Sequence, residues 1–224
     1  MCLSLIHISF STAADAAASF DVAQLVSDDL ARSGRFRSMD RKDMIEQPHT
    51  GANIGFDDWR RLNNDYILVG QVQPQGPDRY NVVFELYNVL NHQRLLGYQI
   101  SANKPGLRLA SHQVADMVFE KILGVRGAFA TRVAYVSVLG RLPNRSYRLI
   151  VADADGENPR IVMQSNEPLM SPAWSPDGQS LAYVSVSYTH LSPSTSRSSS
   201  PSMRAAASTS ILGRTKTSRP PKRR

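Results

Sequence analysis

The middle of the sequence carries the pattern that most limits its fold: three short strands followed by one long amphipathic helix. The segment Tyr66–Val72 is almost continuously apolar, which is typical of a strand covered on both faces. Apolar and polar residues alternate through Tyr80–Tyr87 and again through Leu96–Ile100. Helical spacing of apolar residues predicts a helix over Leu107–Leu123, ended by Gly124. Together these segments predict an antiparallel meander with a helix packed on one face.

Four shorter elements are predicted before the meander. Apolar residues at helical spacing predict an amphipathic helix over Phe20–Ser33. A short strand is expected at Phe36–Met39, a helical turn at Arg41–Glu46, and a short helix at Phe56–Leu62 that carries Trp59 on its apolar side. The predicted fold class over residues 20–130 is therefore α+β: a two-layer domain with a mixed or antiparallel sheet and two main helices.

After residue 130 the pattern changes to short strands separated by turns. Strands are predicted at Arg132–Val138, Tyr147–Asp153, Arg160–Gln164 and Ser180–Ser187. These strands predict an all-β region over residues 131–187 that is incomplete as a domain.

The positive charge of the chain is concentrated in its last 37 residues. The formal net charge is +7, but residues 188–224 hold eight of the 26 basic residues and none of the 19 acidic ones. The remainder is therefore close to neutral. The tail is rich in Ser, Pro and Arg and poor in apolar residues, which predicts disorder over residues 188–224. Its basic end, Arg219–Arg224, gives nonspecific nucleic-acid binding as one functional alternative.

Several protein classes are excluded by composition and motifs. A single cysteine, Cys2, can form neither an internal disulfide nor a thiolate metal cage. No run approaches the roughly 18 apolar residues of a membrane-spanning helix. No nucleophile elbow, H-E-x-x-H motif, P-loop or G-x-G-x-x-G motif is present. We therefore predict no catalytic residue and no cofactor.

Two short patterns are candidates for a metal site. Asp153–Asn158 is similar to the start of a calcium loop, but position twelve is Gln164 rather than Glu, so a hairpin turn is the favoured interpretation. His112 and Asp116 lie four residues apart on the predicted helix, yet a third ligand is lacking. For this pair we favour a solvated helix face, and we predict no metal ligand.

A longer motif then resembles a known family. The segment Ser171–Ser185, SPAWSPDGQSLAYVS, is similar to the repeat of TolB-type six-bladed propellers, with Trp174 as a buried aromatic and Ser175–Gly178 as the turn. Blocks at Asp28–Arg41, Asp65–Val72 and His112–Ser137 resemble the amino-terminal domain of the TolB family in the same order. The resemblance covers residues 20–187.

The resemblance implies a function that the residues alone do not show. It implies a periplasmic, non-enzymatic scaffold of the Tol–Pal envelope system, with roles in outer-membrane integrity, constriction during cell division and colicin import. The implied partners are the Pal lipoprotein, through one propeller face, and TolA, through an N-terminal peptide. The alternative from another class is a fragment of a propeller-bearing serine peptidase, which requires a hydrolase domain.

The sequence departs from the family at both ends. Residues 1–19 are expected to be unmatched and to lack the first family strand, and only part of the first propeller blade is expected, over residues 131–187. No signal peptide is predicted, because the first basic residue is Arg32. The segments CLSLIHIS and Val186–Ser192 resemble translated sequencing adaptors. These features predict a truncated, chimeric fragment from which no partner-binding residue can be inferred.

Overall fold

Residues 4–12, 21–44, 46–141 and 143–186, with the backbone of residues 206–210, are described by a computed structural model. The chain divides into two compact units, Met1–Ala130 and Thr131–Arg224. Among the described residues, no helix is both long and apolar enough to cross a membrane.

The first unit combines one mixed sheet with helices, as the fold class predicted. Its strands are β1 (Ser4–Thr12), β2 (Phe36–Ser38), β3 (Tyr66–Pro74), β4 (Arg79–Asn88) and β5 (Arg94–Asn103). Its α-helices are α1 (Val22–Arg32), α2 (Phe56–Arg61) and α3 (Leu107–Leu123), with short 3-10 turns at Arg41–Asp43, Gly51–Asn53 and Lys104–Gly106. The sheet order is β2-β1-β3-β4-β5, and β3, β4 and β5 form the predicted antiparallel meander.

The expectation that the first family strand is missing is wrong. β1 pairs in parallel with both β2 and β3, so it lies inside the sheet. Its central residues Ile6, His7 and Ile8 are buried, because one side of the strand faces α1 and α3 while the other faces Trp59. The His7 imidazole therefore fills a core position at the otherwise apolar centre of the strand.

The main core lies between the sheet and the two long helices. Val26 and Leu30 of α1 and Val114 of α3 are fully buried against Phe84 and Leu86 of β4. Helix α1 begins where the Asp21 carboxylate accepts a hydrogen bond from the backbone N–H of Gln24, at 3.1 Å. Helix α3 has the predicted bounds.

A second, smaller core covers part of the opposite sheet face. Trp59 of α2 is buried there with Ile54, Ile67, Val69 and Val89. The segment between β2 and β3 therefore forms a partial third layer, which a two-layer arrangement did not predict.

A substitution at Gly70 on β3 tests whether β1 lies beside β3. Gly70 is directly opposite Phe10, and a Cβ atom at Gly70 would overlap the Phe10 ring. We expect Gly70→Ala to lower the free energy of unfolding of the first unit by about 1–3 kcal/mol, measured by urea unfolding. The control is Gly97→Ala on β5, where the nearest atom belongs to the flexible Arg94 side chain at 3.4 Å. Equal stability of both variants would contradict the pairing of β1 with β3.

The second unit consists of two three-stranded sheets. One contains β6 (Arg132–Leu139), β7 (Ser146–Asp153) and β8 (Arg160–Ser165), and the other contains β9 (Leu169–Trp174), β10 (Leu181–Ser185) and β11 (Ala206–Ser210). β9 was not predicted. The strand contains Pro172, and Ser171 within it has a positive φ of 51°, both of which are unusual in a strand interior.

The predicted disordered tail lies mostly outside the described residues. Its segment Ala206–Ser210 differs from that prediction, because its backbone pairs antiparallel with β10.

Candidate interaction surface

The sheet of β6, β7 and β8 has an exposed apolar face, which we call the outer face. The exposed side-chain residues are Val133 (40%), Tyr135 (40%) and Leu139 (43%) on β6 and Ile161 (54%) on β8. The three β6 residues share one face because their positions differ by even numbers. Tyr135 pairs with Ile150, which pairs with Ile161, so the apolar surface continues across all three strands.

The centre of the other face of the same sheet is covered, whereas Val138 (48%) and Met163 (38%) toward its ends are exposed. Ala134 and Val136 of β6 lie opposite Val151 and Leu149 of β7. These side chains pack with buried Leu169, Leu181 and Tyr183 from β9 and β10. Among the described residues, the second unit therefore buries the centre of one apolar face of this sheet and leaves Val133, Tyr135 and Ile161 of the other face exposed.

The sequence of β6 is typical of a strand that is buried on both faces of its sheet. Consecutive apolar residues, rather than alternating ones, are typical of strands buried on both faces. Contiguous exposed apolar surface indicates an interaction site. This surface was not predicted, although the consecutive apolar residues from Val133 to Val136 were an available signal in the sequence.

The motif at Ser175–Gly178 forms the predicted turn between β9 and β10. The backbone N–H of Gly178 donates to the Ser175 carbonyl at 2.9 Å, and Gly178 has a φ of 65°. Leu181 and Tyr183 are buried in the next strand, as predicted. Trp174 is only half-buried, which differs from the prediction, and the Arg132 guanidinium lies 5.5 Å from the ring centroid.

The segment Asp153–Asn158 is the hairpin turn between β7 and β8. The Asp153 carboxylate accepts a hydrogen bond from Asn158 Nδ2 at 2.7 Å, and Asp155 accepts one from the Glu157 N–H at 3.1 Å. Gly156 has a φ of 89°, as this turn requires. The hairpin interpretation is confirmed.

The prediction of a solvated helix face for His112 and Asp116 is wrong. His112 is buried, and its Nδ1 lies 2.6 Å from Oδ2 of the fully buried Asp29 on α1. Asp116 is half-buried and accepts the backbone N–H groups of Phe129 and Ala130, at 2.7 and 3.1 Å. Burial raises the pKa of Asp116 against the effect of these hydrogen bonds. Both side chains fix the position of α3 within the first unit.

His7 is a buried histidine whose pKa is shifted by its surroundings. Its ring is fully buried and stacks on Trp59, with centroids 4.0 Å apart. Neither ring nitrogen has a hydrogen-bond partner among the described residues. Burial lowers the pKa of His7 from 6.5 to about 4. Its surroundings are a packed core, so we assign it a structural role.

The basic cluster Arg219–Arg224, the basis of the nucleic-acid alternative, lies outside the described residues.

Family models match both units. The model described as the TolB amino-terminal domain matches residues 4–95, and the model of the TolB beta propeller domain matches residues 119–196. The first match begins within the segment that we expected to be unmatched.

Curated relatives and a solved structure agree with these matches. The Tol-Pal system protein TolB of Xanthomonas campestris pv. campestris (strain B100) is 48% identical over 165 residues, which is 74% of this chain and 38% of that protein. The protein of the same name from Xanthomonas oryzae pv. oryzae (strain PXO99A) is 47% identical over 171 residues, 76% of this chain and 39% of the relative.

The crystal structure of TolB from Acinetobacter baumannii matches with a TM-score of 0.71 and 32% identity. The match covers 82% of this chain and 44% of the chain in that crystal structure. The chain thus spans about two-fifths of the length of the relatives it matches. Because both units match in chain order and the fold agrees, the chain belongs to the TolB family.

Proposed function

We propose that this chain is part of a non-enzymatic periplasmic scaffold of the Tol–Pal system. The observation that carries the proposal is the ordered match of both units to the two TolB domains, at 48% identity to a Tol-Pal system protein. The roles proposed with it are outer-membrane integrity, constriction during cell division and colicin import. A scaffold needs binding surfaces rather than a reaction centre, and an exposed apolar sheet face is such a surface.

The proposed partners are the Pal lipoprotein and TolA. The outer face of the second unit is open, and single propeller sheets are stabilised by neighbouring sheets. The matched relatives contain more than twice the length that this chain covers. We therefore propose that the partner surfaces require a protein of that greater length, in which a further sheet packs on the outer face.

The test is a domain exchange in Xanthomonas campestris. The matched 165-residue region of its TolB is replaced by the corresponding region of this chain, and the hybrid is expressed in a strain that lacks TolB. We expect the hybrid to restore resistance to detergent and to retain Pal in a pull-down. The chain by itself is expected to retain neither Pal nor TolA.

A variant on the outer face tests whether a further sheet covers it. The substitution Tyr135→Asp places a charge on the outer face. We expect it to lower the stability of the full-length hybrid, in which the further sheet covers this face, and to leave the stability of the chain by itself unchanged. The proposal is contradicted if a hybrid of wild-type abundance leaves the cells detergent-sensitive and does not retain Pal.

A further inference from the structure

Strand β5 forms one edge of the five-stranded sheet, and this edge is long and carries no charged residue after Arg94. β5 pairs only with β4 among the described strands and contains ten residues. Its residues 95–103 include no Lys, Arg, Asp, Glu or Pro. Gly97, Gln99 and Ser101 are exposed along it. Such an edge lacks the usual features that prevent another strand from pairing with it.

The opposite edge of the same sheet is protected. It is formed by β2, which has three residues and carries Arg37 in its centre, next to Arg35. Short length and charge both disfavour pairing with a further strand. The β2 edge is therefore protected against pairing with a further strand, whereas the β5 edge is not.

The backbone groups of alternate β5 residues point away from the sheet. The N–H of Lys104 donates to the carbonyl of Asp78 at 3.2 Å, so even-numbered residues of β5 bond to β4. The hydrogen bonds on the other side of β4 are consistent with this alternation. The N–H of Gln75 donates to the carbonyl of Arg79, so the backbone groups of odd-numbered β4 residues point toward β3. Gly97, Gln99 and Ser101 therefore present unpaired N–H and C=O groups to the edge.

The side chains of β5 define what a further strand must contain. Leu96, Tyr98 and Ile100 are half-buried on the helix side of the sheet and pack against the main core. A strand added beside them would place its own alternate residues against the same apolar layer, so those residues should be apolar. The small or amide side chains on the other side leave room for polar residues.

Charge is unequal at the two ends of this edge. Arg94 at the start is paired with Glu85 at 2.8 Å. Near the other end, Arg79 is exposed and Lys104 is half-exposed, and neither has an acidic partner among the described residues. An acidic group of a ligand is therefore favoured beside the end of β5.

We propose that the free edge of β5 binds an extended peptide segment as a sixth strand, with alternate apolar residues on the helix side and an acidic residue near Arg79 and Lys104. A second copy of β5 fits less well, because it would bring Arg94 of one copy toward Lys104 of the other. Edge-to-edge pairing of two such strands also covers little surface compared with the roughly 1,200 Å² of a stable interface. A peptide needs only the main-chain hydrogen bonds and one row of side-chain contacts.

The experiment measures binding of a synthetic peptide to the full chain by fluorescence anisotropy. The probe is a nine-residue peptide of alternating Val and Thr with one Asp at each end, so that one acid reaches Lys104 in either direction. We expect saturable binding in the micromolar range. Gln99→Pro should weaken it about tenfold, because proline removes an outward N–H and blocks close approach without breaking a bond to β4. Gln99→Thr keeps the N–H and should bind within about twofold of the unsubstituted chain.

Two control peptides and one control measurement complete the test. A peptide with N-methyl groups on alternate amides should bind poorly, and a peptide with Lys at both ends should bind more weakly than the Asp peptide. Equal binding of the N-methylated peptide, or no binding of the probe at millimolar concentration, overturns the proposal. Sedimentation that shows a dimer of the chain, lost in Gln99→Pro, would assign the edge to a second copy and overturn it as well. Thermal melting of both Gln99 variants confirms that they fold.

Discussion

Replacing Asp29 with alanine is expected to lower the free energy of unfolding of the first unit by about 3–5 kcal/mol. The Asp29 carboxylate is fully buried between α1 and α3, where it accepts one hydrogen bond from Arg32 at 3.2 Å and lies 2.6 Å from His112 Nδ1. Without it, the imidazole is left in the core with a polar nitrogen unpaired, and the link between the two long helices is lost. Urea unfolding in a Trp174→Phe background, followed by the fluorescence of Trp59, measures the change.

Two matched variants test the cause of this loss. Asp28→Ala removes the adjacent exposed carboxylate and should change the stability by less than about 0.5 kcal/mol. The double variant Asp29→Leu, His112→Leu replaces both polar partners and should recover most of the loss, because neither group then remains buried alone. If the double variant is less stable than Asp29→Ala, the loss does not come from an unpaired polar group.

Acid should destabilise the first unit through His7. The pKa of this residue is lowered by burial to about 4 in the folded protein, against 6.5 for an ordinary histidine. Between these values the unfolded chain binds a proton that the folded chain does not, so stability falls as the pH falls from 6.5 to 4 and this contribution then levels off. The expected loss from His7 is about 3 kcal/mol, measured as the free energy of urea unfolding at a series of pH values.

The control for this pH dependence is His7→Phe, which keeps a flat ring against Trp59 but cannot bind a proton. Its stability should fall less between pH 6.5 and 4, and the difference between the two curves isolates the histidine from the carboxylates. Parallel curves for the two proteins would show that His7 does not titrate in this range. The predicted sign is also specific, because a histidine stabilised by an acidic partner would make the protein more stable on acidification.

Elements were predicted correctly where the spacing of apolar residues and the turn-forming residues indicated the same structure. Leu107–Leu123 has a regular apolar spacing and a glycine directly after it, and the observed α3 has the same bounds with Gly124 at a φ of 71°. The meander was predicted because one strand is a continuous apolar run, the other two alternate, and short polar turns separate them. In both cases local sequence was enough to define the element.

The elements that were missed depend on distant contacts. Ser4–Thr12 contains a histidine in an apolar run, and only the ring of Trp59, more than 50 residues away, makes that position suitable for the core. β9 contains Pro172 and a residue of positive φ, so its strand character comes from pairing with β10. Asp29 and His112 are 83 positions apart, and a single sequence gives no indication that they meet.

The position of β1 also determines the order in which the first unit can fold. Its parallel partner β3 begins 60 residues later, since Ile6 pairs with Tyr66. The entropy of closing so long a loop must be overcome before this pairing contributes to stability, whereas the meander closes through short turns. We therefore expect β3, β4 and β5 to assemble early and β1 to insert late, between a formed meander and β2. The N-terminal residues are synthesised first, yet they complete the sheet last.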